Sequence, residues 1–393
     1  MRVLWVTAVT VFVWVTPAAA SDCDLTAADA LTAGPGCARI WMDKNLHVND
    51  IVTIGTQNSY KEAVPDQIMS LIRMGDRKAA AGLDYSHPPL ADQLNDGARA
   101  FEFNIFYDPK GGLYASPSGA AMTGVSVPDA YVETMSKPGF KVMGVQDVDY
   151  RSVCARLVEC LRELKTWSSA HPDHVPILVT LKADDDEISM PGSTTPLKFD
   201  EAAFDALDAE ILSVFARHDL ITPDQIQGTY PTLRDAVLKH GWPSLGEARG
   251  KFLFVLDEDN DKRKIYQGAR KNLERRVMFV NAPEDAPIAA YLTLDDPDAA
   301  RIRADVQLGY IVRTRADADT VEARSNDTTR RNKALISGAQ YISTDFMQPD
   351  TRFSPYQVRI PNGFVALCNS QRRAERCSGL VIEPAPQLLQ TLR

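Results

Sequence analysis

The sequence predicts an α/β fold, and within it a single (β/α)8 TIM-type barrel with a small C-terminal hairpin extension. Three observations lead there. Eight short, β-rich apolar runs are spread along the chain, at 47–54, 99–106, 140–145, 176–181, 251–256, 277–281, 309–314 and 339–343. Amphipathic stretches lie between them, notably 160–170, 199–217 and 319–337, with apolar or small residues near helical spacing. No internal repeat or linker divides the 393 residues, and barrels of this kind run to over about 400 residues as one unit. Strands alternating with helices imply βαβ units and a parallel sheet. A doubly wound open sheet is the rival, without the Gly-x-Gly-x-x-Gly turn it often carries.

The elements follow in order. Residues 1–20 carry Arg2, an apolar run from Val3 to Val15 and the small residues Ala18-Ala19-Ala20. That is the pattern of a cleaved signal peptide, too short for the ~20 residues of a span. Export to the periplasm or the medium is expected, leaving one barrel domain over 21–393. The six cysteines form close pairs, Cys23–Cys37, Cys154–Cys160 and Cys368–Cys377. In an oxidising compartment disulfides are the default, and zinc lacks a Cys-x2-Cys pair. Six residues of helix would hold Cα atoms ~9 Å apart, too far for a disulfide. A Cys154–Cys160 bridge therefore requires the helix ending near His171 to start between them.

Residues 114–138 read as a long loop, and 261–274 as a poor helical pattern. The tail, 356–360 and 364–368 around Pro361-Asn362-Gly363, reads as a hairpin across one barrel end. The chain is 45% hydrophobic and 24% charged with net charge -9. The acidic balance, without a Lys/Arg cluster, excludes nucleic acid as a partner and leaves at most peripheral membrane contact.

Barrel chemistry sits at strand C-terminal ends. Those ends carry Gln57, Asn58 and Ser59; Glu102, Asn104 and Asp108; Gly144, Asp147 and Asp149; Thr180 and Lys182; Asp257 and Asp259; Arg313, Arg315 and Asp317; Thr344 and Asp345. Glu102 and Asn104 alternate with Phe101, Phe103 and Ile105, so they share a strand face. They suit half of a Ca2+ site or a hydrogen-bonded barrel interior. Arg313 and Arg315 also share a face, ready to grip a phosphate or to pair with Asp317 or Asp345. The Asp257–Asp261 run starts like an EF-hand but has Lys262 where Gly belongs; it and 184–187 read as solvated acidic turns. Asn326-Asp327-Thr328 fits a glycosylation sequon. None of His47, His87, His171, His174, His218 and His240 is placed as an obvious catalytic pair.

Several ordered motifs carry a resemblance. They include Gly55-Thr56-Gln57-Asn58-Ser59-Tyr60-Lys61, His87-Pro88-Pro89-Leu90, Asp108-Pro109-Lys110-Gly111-Gly112, Asp147-Val148-Asp149-Tyr150-Arg151-Ser152, Arg313-Thr314-Arg315-Ala316-Asp317 and Ser337-Gly338-Ala339-Gln340-Tyr341. Over most of the mature chain the sequence resembles the secreted, Ca2+-dependent phosphoinositide phospholipase C family. The resemblance implies a phosphoric diester hydrolase barrel using two histidines, as general base and acid, and one Ca2+. Ligands would be phosphoinositide-like lipids or small polyol phosphates.

The matching positions depart from that pattern. The two histidine positions hold Gln57 and Gly144. The metal set reads Asn58, Glu102, Asn104 and Thr180, with Asn104 replacing an Asp and Thr180 a Glu. Ligand charge falls from about -3 to about -1, which weakens the hold on a hard cation. The expectation is a family member whose Ca2+-dependent cleavage is absent or very weak. A polyol or phosphate would still be held by Lys182, Arg315 and Asp345. The alternative is an enzyme of altered specificity using Asp147, Asp149 and Asp345.

Overall fold

The computed structural model describes residues 34–239, 241–372 and 379–383. The expected signal peptide, Cys23, His240, Cys377 and the tail 384–393 lie outside the described residues. Among the described residues ten strands run in chain order: β1 Ile51–Thr56, β2 Ala100–Phe106, β3 Lys141–Val142, β4 Ile177–Ala183, β5 Phe252–Leu256, β6 Phe279–Val280, β7 Tyr291–Thr293, β8 Ile311–Arg315, β9 Tyr341–Thr344 and β10 Ala366–Cys368.

Two parallel runs carry the architecture, β2-β4-β5-β6 and β7-β8-β9-β1. Backbone bonds join them at one seam, from Arg99 N to Ile54 O (2.8 Å) and Ser59 N to Glu102 O (2.9 Å). A parallel bridge between Asn281 and Tyr291 joins the other. The result is the (β/α)8 barrel that the sequence predicts. Gly55 makes the first seam possible, since a Cβ there would lie 2.0 Å from Ala100 O. Strands β4 and β5 are apolar almost throughout because both faces are buried.

Two staves differ from the expectation. The run at 140–145 is the two-residue β3, antiparallel to the end of β2 through Ile105–Val142. Gly139 N donates to Asp108 O at 3.0 Å, so the chain returns to the end of β2 that it left. Having never travelled down the barrel, it cannot return parallel. The missing stave is β7, whose three residues are too short to show a pattern. The tail supplies one strand, not a hairpin. β10 pairs antiparallel with the first half of β1 (Ile51–Cys368, Thr53–Ala366). Residues 356–360 form no strand; Tyr356, Val358 and Ile360 alternate inward onto the core.

The helices refine in the same way. Leu157–Ala170 buries Leu157, Leu161, Leu164 and Trp167. It starts between Cys154 and Cys160, which are bridged with Cα atoms 5.2 Å apart. Cys37 and Cys368 are disulfide-bonded too. The 199–217 pattern is the helix Glu201–Leu212, and 261–274 is Asn260–Gln267, ended by Gly268 at φ 63°. The expected helix at 319–337 is two, Val321–Ser325 and Thr329–Ser337, broken where Asn326 turns left-handed at φ 52°. The long loop at 114–138 contains helices Ser118–Thr123 and Asp129–Met135. No helix among the described residues is long and apolar enough to cross a membrane.

Candidate active site

The polar residues at the strand ends gather in the mouth of the barrel, and their first layer is buried. Glu102 on β2 is 1% exposed. It cannot be left unpaired there, and both its oxygens are engaged. Gln57 Nε2 donates to Oε1 at 2.5 Å, and Arg313 Nη2 donates to Oε2 at 2.6 Å. Arg313 also donates to Gln57 Oε1, closing a three-membered ring of side chains. Arg313 reaches across the interior from β8, and its other nitrogen meets Asp295 at 3.2 Å and Asp257 at 3.6 Å. Of its two sequence readings, gripping a phosphate or pairing with Asp317 or Asp345, Arg313 does not make the second with either aspartate. Asp317 instead accepts from Thr344 Oγ1, Tyr356 Oη and Asp345 N.

Arg315 is the arginine that faces Asp345, at 3.6 Å. That is too long for a hydrogen bond. Burial, reinforced by Asp317, therefore raises the Asp345 carboxyl to about 8 despite Arg315. Asp345 Oδ1 and Arg315 Nε are buried with no hydrogen-bond partner. The ammonium of Lys182, half-buried on β4, makes no hydrogen bond or ion pair to another described residue. Its ammonium is held above its ordinary pKa, chiefly by the charge of Glu102. Asn104, beside it in the β2–β4 register, leaves its buried Oδ1 unpartnered.

Asn58 is committed: its Nδ2 donates to Tyr85 Oη (2.7 Å) and its Oδ1 accepts from Tyr60 Oη (3.3 Å). The Thr180 hydroxyl donates to Phe101 O. At the second expected imidazole position, a Cβ on Gly144 would lie 2.1 Å from Asp149 Oδ2. Asp149 is buried and fixed by Lys61 Nζ at 2.6 Å. The carboxylate thus occupies the space a side chain at 144 would need, a relation no local pattern could have revealed.

The remaining candidates separate. Asp147 is a loop clamp, accepting from Ser118 N, Thr194 N and Thr194 Oγ1. His87 Nε2 donates to the backbone oxygen of Gln57 at 2.8 Å, and burial lowers its pKa to about 4. It lines a cleft of about 380 Å³ with Tyr85, Asp345 and Phe346. His174 is a buried core histidine, bonded to Ser168 and Val175 O. The 184–187 turn is not simply solvated: Asp185 is buried and pairs with Lys262 at 3.0 Å, and burial raises Asp184 to about 7. At 257–261, Asp257 is buried likewise.

Acid, amide and cationic side chains converge here at the C-terminal mouth, the face where (β/α)8 barrels that are enzymes carry their active sites. Comparison with known proteins makes the class specific. The profile of the family described as phosphoinositide phospholipase C, Ca2+-dependent, matches residues 46–370. The chain belongs to that family. The barrel resembles a calcium-dependent phosphoinositol-specific phospholipase C from Pseudomonas sp. in its apo form. That likeness has 17% identity, 83% of this chain and 96% of that chain covered, and a TM-score of 0.50. A Ca2+-dependent phosphatidylinositol-specific phospholipase C from Streptomyces antibioticus is 16% identical over 76% of this chain and 95% of that one, with a TM-score of 0.48. No curated protein matches the chain at a significant level.

The family is Ca2+-dependent, and the residues here do not fit that ion. Calcium takes six to eight oxygens, carboxylates foremost. At the four matching positions only Glu102 is a carboxylate, and Gln57 and Arg313 already donate to both its oxygens. Asn58 Oδ1 already accepts from Tyr60 Oη, and Thr180 and Asn104 offer only neutral oxygens. Among the described residues no three His, Cys, Asp or Glu side chains converge as a metal-holding group.

Proposed function

We propose that this protein binds a phosphorylated polyol, of the kind carried by phosphoinositide headgroups, without cleaving it by the family's histidine chemistry. One observation carries the reading. The uncommitted ammonium of Lys182 shares the mouth with Arg315 Nε and Asp345 Oδ1, two buried polar atoms that lack partners. Buried polar groups are normally satisfied, so this set calls for a ligand that supplies both acceptors and hydroxyls. Lys182 and Arg315 suit an anionic phosphate. Asp345, whose carboxyl burial shifts toward the protonated form, offers a donor for a phosphate or hydroxyl oxygen.

Cleavage is a different matter. A general base must accept a proton near neutral pH. Gln57 cannot, and Gly144 has no side chain. Losing one such group costs typically ~10²–10⁴-fold in rate. The N-terminal pattern supports export, with Cys23–Cys37 and Cys368–Cys377 as further disulfides in the mature protein.

The test is a pair of measurements on the mature protein. Calorimetric titration with myo-inositol 1-phosphate should show saturable binding, weakened about tenfold or more by Lys182→Met and by Arg315→Met. Phosphatidylinositol vesicles with Ca2+ should release no inositol phosphate above a protein-free control. Turnover at an ordinary enzymatic rate, or absence of binding, overturns the reading.

A further inference from the structure

We infer that the barrel mouth has exchanged a bound metal for positive charges built into the chain, so that it recognises its anionic ligand independently of calcium. The inference rests on the phosphate-binding reading above and adds the source of the counter-charge.

The argument begins at Gln57. Its amide presents a donor to Glu102 Oε1 and an acceptor to Arg313, while Arg313 donates to Glu102 Oε2. Each member of this ring satisfies the other two. Arg313 is 2% exposed and Glu102 1% exposed, so the ring is dry. A divalent cation bound by both oxygens of Glu102 would displace Gln57 and Arg313 together. The guanidinium would then lose the bond to its nearest carboxylate, and a buried charge without its partner is strongly unfavourable. Its remaining carboxylates, Asp295 and Asp257, stand at 3.2 and 3.6 Å.

Fixed positive charge lies close to that ring. The single carboxylate of the metal positions faces two cations, Arg313 in contact and Lys182 within electrostatic reach. Arg315 adds a third at the rim, 3.6 Å from the Asp345 carboxyl, whose charge burial disfavours. Asp257 and Asp295 act on Lys182 and Arg313 as well, so it is the closed ring, not net charge, that bars a divalent cation. Arg313 is neutralised within the ring, which leaves Lys182, together with Arg315 beside Asp345 at 3.6 Å, to face the ligand. Gln57 is therefore more than a lost base. It completes the ring that holds the cation seat shut.

The experiment titrates the mature protein with myo-inositol 1-phosphate twice, in EDTA and in millimolar CaCl2, and separately with CaCl2 alone. The expected result is the same affinity in both buffers, no heat from calcium alone and no calcium-induced rise in Tm. Lys182→Met should lose about tenfold or more in EDTA, and calcium should not restore it. Binding that appears, or tightens tenfold or more, only with calcium overturns this inference and leaves the phosphate-binding reading standing. So does rescue of Lys182→Met by calcium. Absence of binding in both buffers overturns the reading itself, and this inference with it.

Discussion

Asp345 shows how a single residue sets a pH dependence. Its carboxyl sits near 3.8 in an unfolded chain and about 8 when folded, because burial and then Asp317 oppose its charge. Between those values the folded chain holds a proton that the unfolded chain has released. Stability therefore falls as pH rises through that window. Asp345→Asn removes this contribution. The variant should gain on the parent steadily from about pH 4 to about pH 8, with a constant difference above that, read from urea midpoints across the range. A difference that does not change with pH would show that Asp345 ionises normally. Much of the site was legible at this scale. Glu102 and Asn104 stood out as polar residues in an apolar strand, and Lys182, Arg315 and Asp345 as strand-end polar residues. The partner of Glu102 was not legible, because Arg313 lies 211 positions away and its own neighbours suggested other pairings.

At the scale of the element, the bridge between Cys154 and Cys160 ties the turn that opens the helix Leu157–Ala170. The same turn holds the site, since Val153 N donates to Tyr60 O and Lys61 bridges to Ser152. A short closed loop of this kind contributes roughly 2 kcal/mol by the chain-entropy argument. The double substitution Cys154→Ser, Cys160→Ser should lower stability by about that amount in urea unfolding. An unchanged midpoint would mean that the bridge adds nothing beyond the packing of the helix. Sequence reasoning reached this helix start because disulfide reach and helix rise are both local quantities. It misread β3 and missed β7 because a strand's direction and membership depend on what it lies beside. Two or three residues carry too little pattern to say so.

For the whole molecule, the C-terminal segment closes the end of the barrel opposite the mouth. Glu383 accepts from Arg99, at the start of β2, and from Val175 N, just before β4. Arg99 is fully buried and stacks on Trp167, 4.8 Å from the ring. Glu383→Ala leaves that guanidinium uncompensated, and breaking such a pair costs about 3–5 kcal/mol. The expected outcome is a clear drop in Tm, with the native barrel retained at low temperature by circular dichroism. A Tm within a degree or so of the parent would show that the C-terminal segment is dispensable to the barrel.

The sequence by itself determined the α/β barrel, the ordered motifs of the family, the paired Cys154 and Cys160, and the absence of imidazole at 57 and 144. Each of these is written in local period, spacing or residue type. Only the tertiary structure decided what stands in those places. Gln57 locks Glu102 to Arg313, and the Asp149 carboxylate fills the room beside Gly144. These contacts join strands far apart in the chain across a shared interior, where burial fixes which charges must meet. A linear sequence carries no record of that proximity.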